Sequence, residues 1–310
     1  MDKLSIVVPC YNEEKMIDLF FRTTENVINK IDNLEAEYWF IDDGSKDDSL
    51  IKMRNLNESY PAKSHYISFS RNFGKESALY AGLEASTGNY VAVMDVDLQD
   101  PPELLTSMIE KLRQENIDCV ATRRVNRQGE PVIRSFFSNM FYKIINLISS
   151  TNIVNGARDY RLMKRQMVDA ILTMTEYNRF SKGIFSWVGF KTDYIEYNNV
   201  ERAAGTTSWS FWKLFRYSLD GITDFSEVPL SIASWTGFLA FVSALCGMAF
   251  IVIRALVVPG SSVSGWASMT CVILLLGGLQ LLCLGILGKY IGKLYLQSKN
   301  RPIFIAKERK

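Results

Sequence analysis

The chain of 310 residues is 48% hydrophobic and carries a net charge of +2 at neutral pH. Residues 289–310 hold seven Lys or Arg and one acid, so the long N-terminal part is net acidic, which excludes a generic nucleic-acid binder because such binding needs many cations against phosphates. The five cysteines are scattered without a CxxC pair, which excludes a disulfide-stapled scaffold.

Short apolar runs alternate with helical patterns through the N-terminal part of the chain. Each run is rich in β-branched or aromatic residues and is followed by polar residues; the five runs are residues 4–8, 38–41, 65–69, 90–94 and 118–122. Repeated strand–helix units with uninterrupted apolar strands are typical of a mostly parallel sheet covered by helices on both faces. We therefore predict a Rossmann-like α/β domain over residues 1–208.

Acidic and aromatic side chains follow three of these predicted strands. They are Tyr11 and Glu13 after the first, Asp42 and Asp43 after the second, and Asp95 and Asp97 after the fourth. An isolated acidic turn is usually a helix cap or a solvated loop. In doubly wound sheets, however, ligands bind beyond the carboxyl ends of the strands. Three such turns at one edge therefore indicate a binding site.

Asp95 and Asp97 predict a metal site. Residues two apart in an extended segment point to the same side, and Gln99 continues that spacing with an amide oxygen. Oxygen ligands suit Mg²⁺ or Mn²⁺, and Mg²⁺ is usually held by one or two carboxylates together with substrate phosphates. We therefore expect a divalent cation here that binds a diphosphate.

Residues 209–228 have the pattern of an amphipathic helix. Apolar residues recur at three- and four-residue spacing, namely Trp209, Trp212, Phe215, Leu219 and Ile222, and the other face carries Lys213, Arg216 and Asp220. This pattern favours a helix at a membrane interface. The alternative is a helix that packs on the core of the preceding domain.

Two uncharged stretches follow, residues 230–253 and 265–288, with Arg254 as the one charge between Pro229 and Lys289. Each stretch is 24 residues long, enough for about 36 Å of helix across a bilayer core of about 30 Å. The basic residues 289–310 would then be a cytoplasmic tail by the positive-inside rule, and two spans would put the N-terminal domain on the same side. A solvated tail is the simplest interpretation of those charges, and such a tail can also touch anionic lipid.

Several segments resemble the inverting family 2 glycosyltransferases of the GT-A fold. They are VVPCYNE (residues 7–13), DDGS (42–45), SRNFGK (70–75), DVDLQDPP (95–102) and GARDYRL (156–162). Their order ahead of two apolar segments is similar to the polyprenyl-phosphate glycosyltransferases, which comprise dolichol-phosphate mannose synthase and the bactoprenol glucosyltransferases. The resemblance covers residues 4–296.

The resemblance implies roles for individual residues. Binding of a nucleotide sugar is implied for Pro9, Tyr11, Glu13, Asp42, Asp43, Asp95, Arg123 and Arg202. Binding of Mg²⁺ or Mn²⁺ is implied for Asp95, Asp97 and Gln99, and Asp159 falls where the family has its catalytic aspartate. Asp159 could act as a base or could orient the acceptor, because a phosphate monoester is largely dianionic at neutral pH.

One departure from the family concerns the acceptor phosphate. Many relatives have Ser-Lys-aromatic after the glycine of the loop that contains Arg202, whereas this chain has Thr-Thr-Ser-Trp at residues 206–209. The positive charge for the acceptor would then come from other residues, for which the candidates are Arg71, Lys75, Arg124, Arg127 and Arg134.

The activity that the resemblance implies is transfer of a single sugar to polyprenyl (undecaprenyl) phosphate at the cytoplasmic face of the cell membrane, giving a lipid-linked donor for cell-envelope glycosylation. UDP-glucose and UDP-N-acetylglucosamine are equally favoured donors, with GDP-mannose less so. A homo-oligomer, by resemblance a tetramer, is a further expectation. The alternatives are a processive polysaccharide synthase, which usually carries a Gln-x-x-Arg-Trp motif not found in this sequence, and a non-catalytic membrane module that binds a nucleotide sugar.

Overall fold

The computed structural model describes residues 1–124, 146–147, 154, 156–197, 223–224, 226–257 and 265–310. Its strands are β1 (Asp2–Cys10), β2 (Leu34–Asp42), β3 (Ser64–Phe69), β4 (Tyr90–Val93), β5 (Cys119–Arg124), β6 (Ala157–Lys164), β7 (Thr192–Tyr197) and β8 (Ala306–Arg309). Its helices are α1 (Ile17–Ile28), α2 (Ser49–Ser59), α3 (Lys75–Ala85), α4 (Leu104–Gln114), α5 (Arg165–Leu172), α6 (Ser181–Trp187), α7 (Val228–Val257) and α8 (Trp266–Ser298).

The described strands form one sheet in the order β7-β5-β6-β4-β1-β2-β3-β8. β4, β1, β2 and β3 run parallel to one another, and β7 runs parallel to β5. β6 runs antiparallel between β4 and β5, and β8 runs antiparallel to β3 at the edge. The predicted α/β architecture with a mostly parallel sheet is confirmed, and the five predicted strands correspond to β1–β5.

Helices cover both faces of this sheet. Successive residues of a strand point to opposite sides, so neighbouring residues of β1 pack against different helices. Ile6 of β1 lies in a core cluster with Phe20 of α1 and Leu105 of α4. Its neighbour Val7 lies in a second cluster with Leu79 of α3. One face of β1 therefore packs against α1 and α4, and the other packs against α3.

A glycine lets α3 approach β1 closely. A Cβ atom added at Gly82 would lie 2.1 Å from the Cγ1 atom of Val7, far inside van der Waals contact. Gly82 is therefore required for α3 to lie this close to β1. Lys75, the first residue of α3, lies at the candidate site.

A buried carboxylate stabilises the sheet away from its carboxyl edge. Glu37 is 3% exposed; one of its oxygens lies 2.6 Å from Lys3 Nζ and the other accepts hydrogen bonds from Ser5 Oγ at 2.6 Å and from the Thr87 N–H at 2.8 Å. Burial by itself would raise the pKa of Glu37, but these contacts outweigh burial and lower the pKa to about 2. The network joins β1, β2 and the turn before β4.

α7 and α8 are long, apolar helices. Val228–Gly247 and Leu275–Ser298 each have the length and composition to cross a membrane, and apolar side chains such as Trp235 are exposed on them. The helices include most of the predicted stretches 230–253 and 265–288, and α8 continues past the predicted end. The predicted amphipathic segment before them, residues 209–228, lies mostly outside the described residues.

The basic segment 289–310 is ordered along much of its length, unlike the solvated tail expected from its charge. Its first part belongs to α8, and its last part is β8 on the edge of the sheet. Glu308 forms a salt bridge with Arg54 at 2.6 Å, and the Phe304 ring stacks on Phe69 with centroids 4.9 Å apart. Pairing with β3 and the partly buried contact between Phe304 and Phe69 therefore hold the segment on the domain despite its charge.

Candidate active site

The candidate site lies at the carboxyl edge of the sheet, where β1, β2 and β4 end. Cys10 of β1 is in register with Asp42 of β2, and the Met94 N–H after β4 donates to the Val7 carbonyl at 3.0 Å. The loops after these strands are therefore neighbours. Burial raises the pKa of the Cys10 thiol, and the charges of Glu13, Asp42 and Asp95 raise it further. The acidic turns predicted to converge do so.

The loops after β1 and β2 are fastened to each other. The Asn12 N–H donates to Ser45 Oγ, and the Lys46 N–H donates to Asn12 Oδ1, each at 2.9 Å. Asn12 adopts a left-handed conformation with φ of 57°, which asparagine tolerates better than most residues. Next to it, Tyr11 is 42% exposed. Its ring is thus presented at the edge of the sheet, where it could stack on a planar base. Pro9 is half-buried near the end of β1.

Asp42 and Asp43 are both buried and bind protein donors. Asp42 accepts hydrogen bonds from the Ser45 N–H at 2.9 Å and from Ser68 Oγ at 2.7 Å. Asp43 accepts hydrogen bonds from the Phe73 N–H at 2.6 Å and the Gly74 N–H at 3.0 Å. Burial raises the pKa of Asp43 to about 6, against the opposing effect of these two N–H groups. Asp43 therefore holds in place the loop that leads to Lys75.

Asp95 and Asp97 follow β4, as predicted, but residues 96–97 form a turn and Leu98 has a φ of 53°, so the extended spacing expected for Asp95, Asp97 and Gln99 is wrong. Asp97 accepts a hydrogen bond from the Gln99 N–H at 3.2 Å. Among the residues that the structure describes, no three acidic, histidine or cysteine side chains are grouped so that they could hold a metal ion. A divalent cation at Asp95 and Asp97 would therefore need further oxygen ligands from substrate phosphate and water, which is how Mg²⁺ is usually bound. The carboxylate oxygens of Asp95 and Asp97 are the kind of ligand that such an ion prefers.

Asp159 of β6 lies opposite Asp95, which follows the neighbouring strand β4. Val93 of β4 is paired with Arg161 of the antiparallel strand β6, and continuing this register by two residues brings Asp95 opposite Asp159. Lys75 Nζ lies between them, 2.7 Å from Asp95 Oδ1 and 2.7 Å from Asp159 Oδ2. Burial tends to raise the pKa of Asp159, but Lys75 and then Lys182 outweigh it and hold the pKa well below its usual range. Asp159 is therefore ionised at neutral pH.

A second cluster lies beside Asp159. Arg158 Nε lies 3.3 Å from Asp100 Oδ1, and Arg158 Nη2 lies 3.4 Å from Gln99 Oε1. Asp100 is 2% exposed and also accepts a hydrogen bond from the Tyr197 hydroxyl. The amide oxygen of Gln99, a predicted metal ligand, thus faces a guanidinium here. Tyr197 ends β7, so this cluster joins the loop after β4 to the far side of the sheet.

The structure describes the side chains of only some of the cations that were predicted to bind phosphate. Arg123 of β5 is exposed and lies 3.7 Å from Glu196, and the Arg71 guanidinium lies 4.1 Å from the centre of the Phe73 ring. Arg127, Arg134 and Arg202 lie outside the described residues, as does the side chain of Arg124. The sequence interpretation missed three cations near Asp159, namely Arg158, Arg161 and Lys182. Adjacency to Asp159 in the chain could have indicated Arg158, whereas Lys182 had no local signal.

Comparison with known proteins gives consistent matches. Residues 5–172 match the family model described as glycosyl transferase family 2. A bactoprenol glucosyl transferase of Shigella phage SfX is 43% identical over 311 residues, which cover 99% of this chain and 100% of that protein. A putative glycosyltransferase, CsbB, of Bacillus subtilis is 42% identical over 306 residues, covering 98% of this chain and 91% of its own.

A solved structure shares the fold. The mannosyltransferase PcManGT of Pyrobaculum calidifontis, determined in complex with GDP-Man and Mn²⁺, has a TM-score of 0.52 and 18% sequence identity. The match covers 94% of this chain and 87% of that one. At this level of identity the similarity concerns the fold.

Proposed function

Because the chain belongs to glycosyl transferase family 2 and is a hexosyltransferase of the GT-A fold, we propose that it transfers one glucose from UDP-glucose to the phosphate of a polyprenyl lipid. The observation that carries the reaction is the facing pair of carboxylates, Asp95 after β4 and Asp159 on β6, at the edge of the sheet where the acidic turns converge. Glucose and the lipid acceptor are supported by the full-length similarity to a bactoprenol glucosyl transferase.

The donor is proposed to bind along the loops after β1, β2 and β4. Tyr11 offers an exposed ring to the base, and Asp42, which Ser45 and Ser68 hold in place, offers a buried carboxylate. Asp95 and Asp97 would hold Mg²⁺ or Mn²⁺, with Gln99 nearby. When bound, the cation would neutralise negative charge on the departing diphosphate. Arg123 and Arg202 are proposed to contact the same phosphates.

The acceptor is proposed to approach Asp159. A phosphate oxygen attacks the anomeric carbon while the bond from that carbon to the diphosphate breaks, so that an α-linked donor gives a β-linked product. A phosphate monoester with a second pKa near 6 is largely dianionic at neutral pH, so no proton has to be removed. A carboxylate with a lowered pKa is also a weak base. We therefore propose that Asp159 orients Lys75 and the reacting groups.

The two long helices are proposed to hold the enzyme at the cytoplasmic face of the cell membrane. A polyprenyl chain stays in the bilayer and presents its phosphate at the interface, so the domain must be kept there. α7 and α8 have the required length and exposed apolar side chains. The predicted interfacial segment, residues 209–228, would add contact with lipid. A homo-oligomer in the membrane remains part of this proposal.

Purified enzyme in lipid, given labelled UDP-glucose, a short-chain polyprenyl phosphate and Mg²⁺ or Mn²⁺, tests the proposal. The expected product is one β-linked glucose per lipid, identified by mass spectrometry. A long polymer would indicate a processive synthase, and nucleotide-sugar binding without product would indicate a non-catalytic module. UDP-N-acetylglucosamine and GDP-mannose, offered in parallel, should give less product. Preferential use of either would reject glucose.

A further inference from the structure

Lys75 occupies an unusual position for a lysine at the start of a helix. Its ammonium lies 2.7 Å from a carboxylate oxygen of Asp95 and 2.7 Å from one of Asp159. The side chain of Lys75 is 36% exposed, and those of Asp95 and Asp159 are 30% and 21% exposed. One cation thus pairs at the same time with a proposed ligand of the metal and with the aspartate proposed to face the acceptor.

The fold fixes Lys75 in this place from several directions. The preceding residues, Phe73 and Gly74, donate their N–H groups to Asp43. The following residue, Glu76, accepts a hydrogen bond from the Ser181 N–H at 2.9 Å, which ties the first turn of α3 to α6. Further along the helix, Gly82 allows α3 to lie against Val7 of β1. Lys75 is therefore an anchored cation, unlike a mobile surface lysine.

We propose that Lys75 is the shared counter-ion of Asp95 and Asp159, and that it competes with the divalent cation for Asp95. This inference rests on the proposed function, in which Asp95 is a metal ligand. Without a cation the two facing carboxylates repel each other, and Lys75 offsets that repulsion. When Asp95 binds a divalent cation, Lys75 is repelled from it and is left to Asp159 and the acceptor phosphate.

This competition links the donor side of the site to the acceptor side. While Lys75 is paired with Asp95, the affinity of the pair Asp95 and Asp97 for a free divalent cation is reduced. A nucleotide sugar that brings its own phosphate ligands can overcome the competition, since it adds ligands to the same ion. The positive charge of Lys75 then stays beside Asp159, where the phosphate of the lipid acceptor is proposed to bind. Lys75 is thus a positioning residue whose loss should change metal affinity as well as turnover.

The test is the affinity of the full-length enzyme for Mn²⁺ in the absence of nucleotide sugar, measured by electron paramagnetic resonance. Lys75→Met and Lys75→Gln should each bind Mn²⁺ about tenfold more tightly than the wild type, because a competing positive charge has been removed. Lys75→Arg should stay near the wild type. Product formation should fall in the Met and Gln variants. The matched control is Lys52→Met, since Lys52 pairs with Asp18 at 3.0 Å on the surface of α1 and α2; it should change neither quantity.

The outcomes separate this inference from the proposed function. Asp95→Asn, alone or with Lys75→Met, should remove the Mn²⁺ site. If Mn²⁺ binding depends on Asp95 but is unchanged or weaker in Lys75→Met and Lys75→Gln, the counter-ion is refuted while the metal site stands. If no variant shows Asp95-dependent binding even with UDP-glucose, the metal site of the proposed function is refuted, and the counter-ion with it. Thermal unfolding of each variant identifies any that fail to fold. If either Lys75→Met or Lys75→Gln fails to fold, the Mn²⁺ affinity of the other one decides the test.

Discussion

Individual carboxylates of this domain behave differently because their partners differ. Asp43 is buried against backbone N–H groups and has a raised pKa of about 6. Asp159 is partly buried, and Lys75 outweighs the effect of burial and keeps its pKa low. Glu37 is held ionised by Lys3 and by neutral donors far from the site. Charge at each position is thus decided by the paired group, and this gives two predictions.

Asp159→Asn should lower turnover by about 10²-fold or more, the order found when a single charge-stabilising group is removed. The loss should be uniform from pH 6 to 8.5, because Asp159 is ionised throughout that range and does not titrate within it. The measurement is kcat against pH with saturating donor. A loss confined to pH well below 7 would instead show that Asp159 removes a proton. Asp193→Asn, which breaks a surface pair with Lys111, serves as the control.

Glu37→Gln should lower the free energy of unfolding by about 2–3 kcal/mol at pH 7. The pKa of Glu37 is lowered from 4.5 to about 2 by folding, so its ionised form stabilises the fold above about pH 4.5. That contribution is lost as the pH falls toward 2. The free energies of unfolding of the two proteins, measured with denaturant, should therefore approach each other as the pH falls from about 4.5 toward 2. Glu35→Gln, at an exposed position of the same strand, should have little effect at any pH.

Strands β1–β5 could be predicted from the sequence because each is a local apolar run with a turn after it. β6 could not, since ARDYRLMK mixes charged and apolar residues without a continuous apolar run, and its partners, β4 and β5, lie far away in the chain. This antiparallel insertion is what brings Asp159 opposite Asp95. The position of Asp95 after a predicted strand and the family resemblance at Asp159 indicated the two aspartates, but their shared contact with Lys75 depends on tertiary pairing that no local pattern encodes.

Gly82→Ala should destabilise the protein by about 1–3 kcal/mol, the usual cost of forcing an extra carbon into a packed core. The new Cβ would lie 2.1 Å from Val7 Cγ1, so α3 must move away from β1. Turnover should fall as well, because Lys75 at the start of α3 would move relative to Asp95 and Asp159. Thermal unfolding and initial rates measure the two effects.

The matched comparison for Gly82→Ala is the double variant with Val7→Ala. Removing the Val7 methyl groups makes room for the new Cβ, so the double variant should recover part of both the stability and the rate. Glu84→Ala, on the exposed face of the same helix, should leave both near the wild type. Equal losses of stability and rate in the single and double variants would show that the contact with Val7 does not determine the position of α3.

The C-terminal segment connects the long helices back to the domain. α8 ends at Ser298, and the Tyr177 N–H of the domain donates to Gln297 Oε1 near that end at 2.7 Å. β8 then pairs with β3, directly before the loop that leads to Lys75. Composition could not predict this arrangement, because a run of basic residues favours a solvated tail. The pairing depends on Phe304 and Glu308, two residues among many charges.

Phe304→Ala should lower the free energy of unfolding of the domain by about 1–3 kcal/mol through loss of the stacked contact with Phe69. It should also expose the C-terminal segment to proteases, since β8 would be held by backbone pairing and the Glu308 contacts alone. Limited proteolysis with mass spectrometry, alongside thermal unfolding, measures both effects. Lys307→Ala, at an exposed position of β8, is the control. Unchanged cleavage in Phe304→Ala would show that the ring does not hold the segment.

Because β8 returns to the sheet, the catalytic domain is joined to the two long helices by chain on both sides, before α7 and after α8. A body attached by one flexible connection can swivel freely, whereas a second attachment leaves it far fewer orientations. Contacts near the domain end of α8, between Lys293 and Asp224 and between Tyr290 and the Ser226 carbonyl, shorten the free chain further. The orientation of the active-site opening relative to the two helices would thus be set by these two connections. The surrounding lipid would have little influence on that orientation.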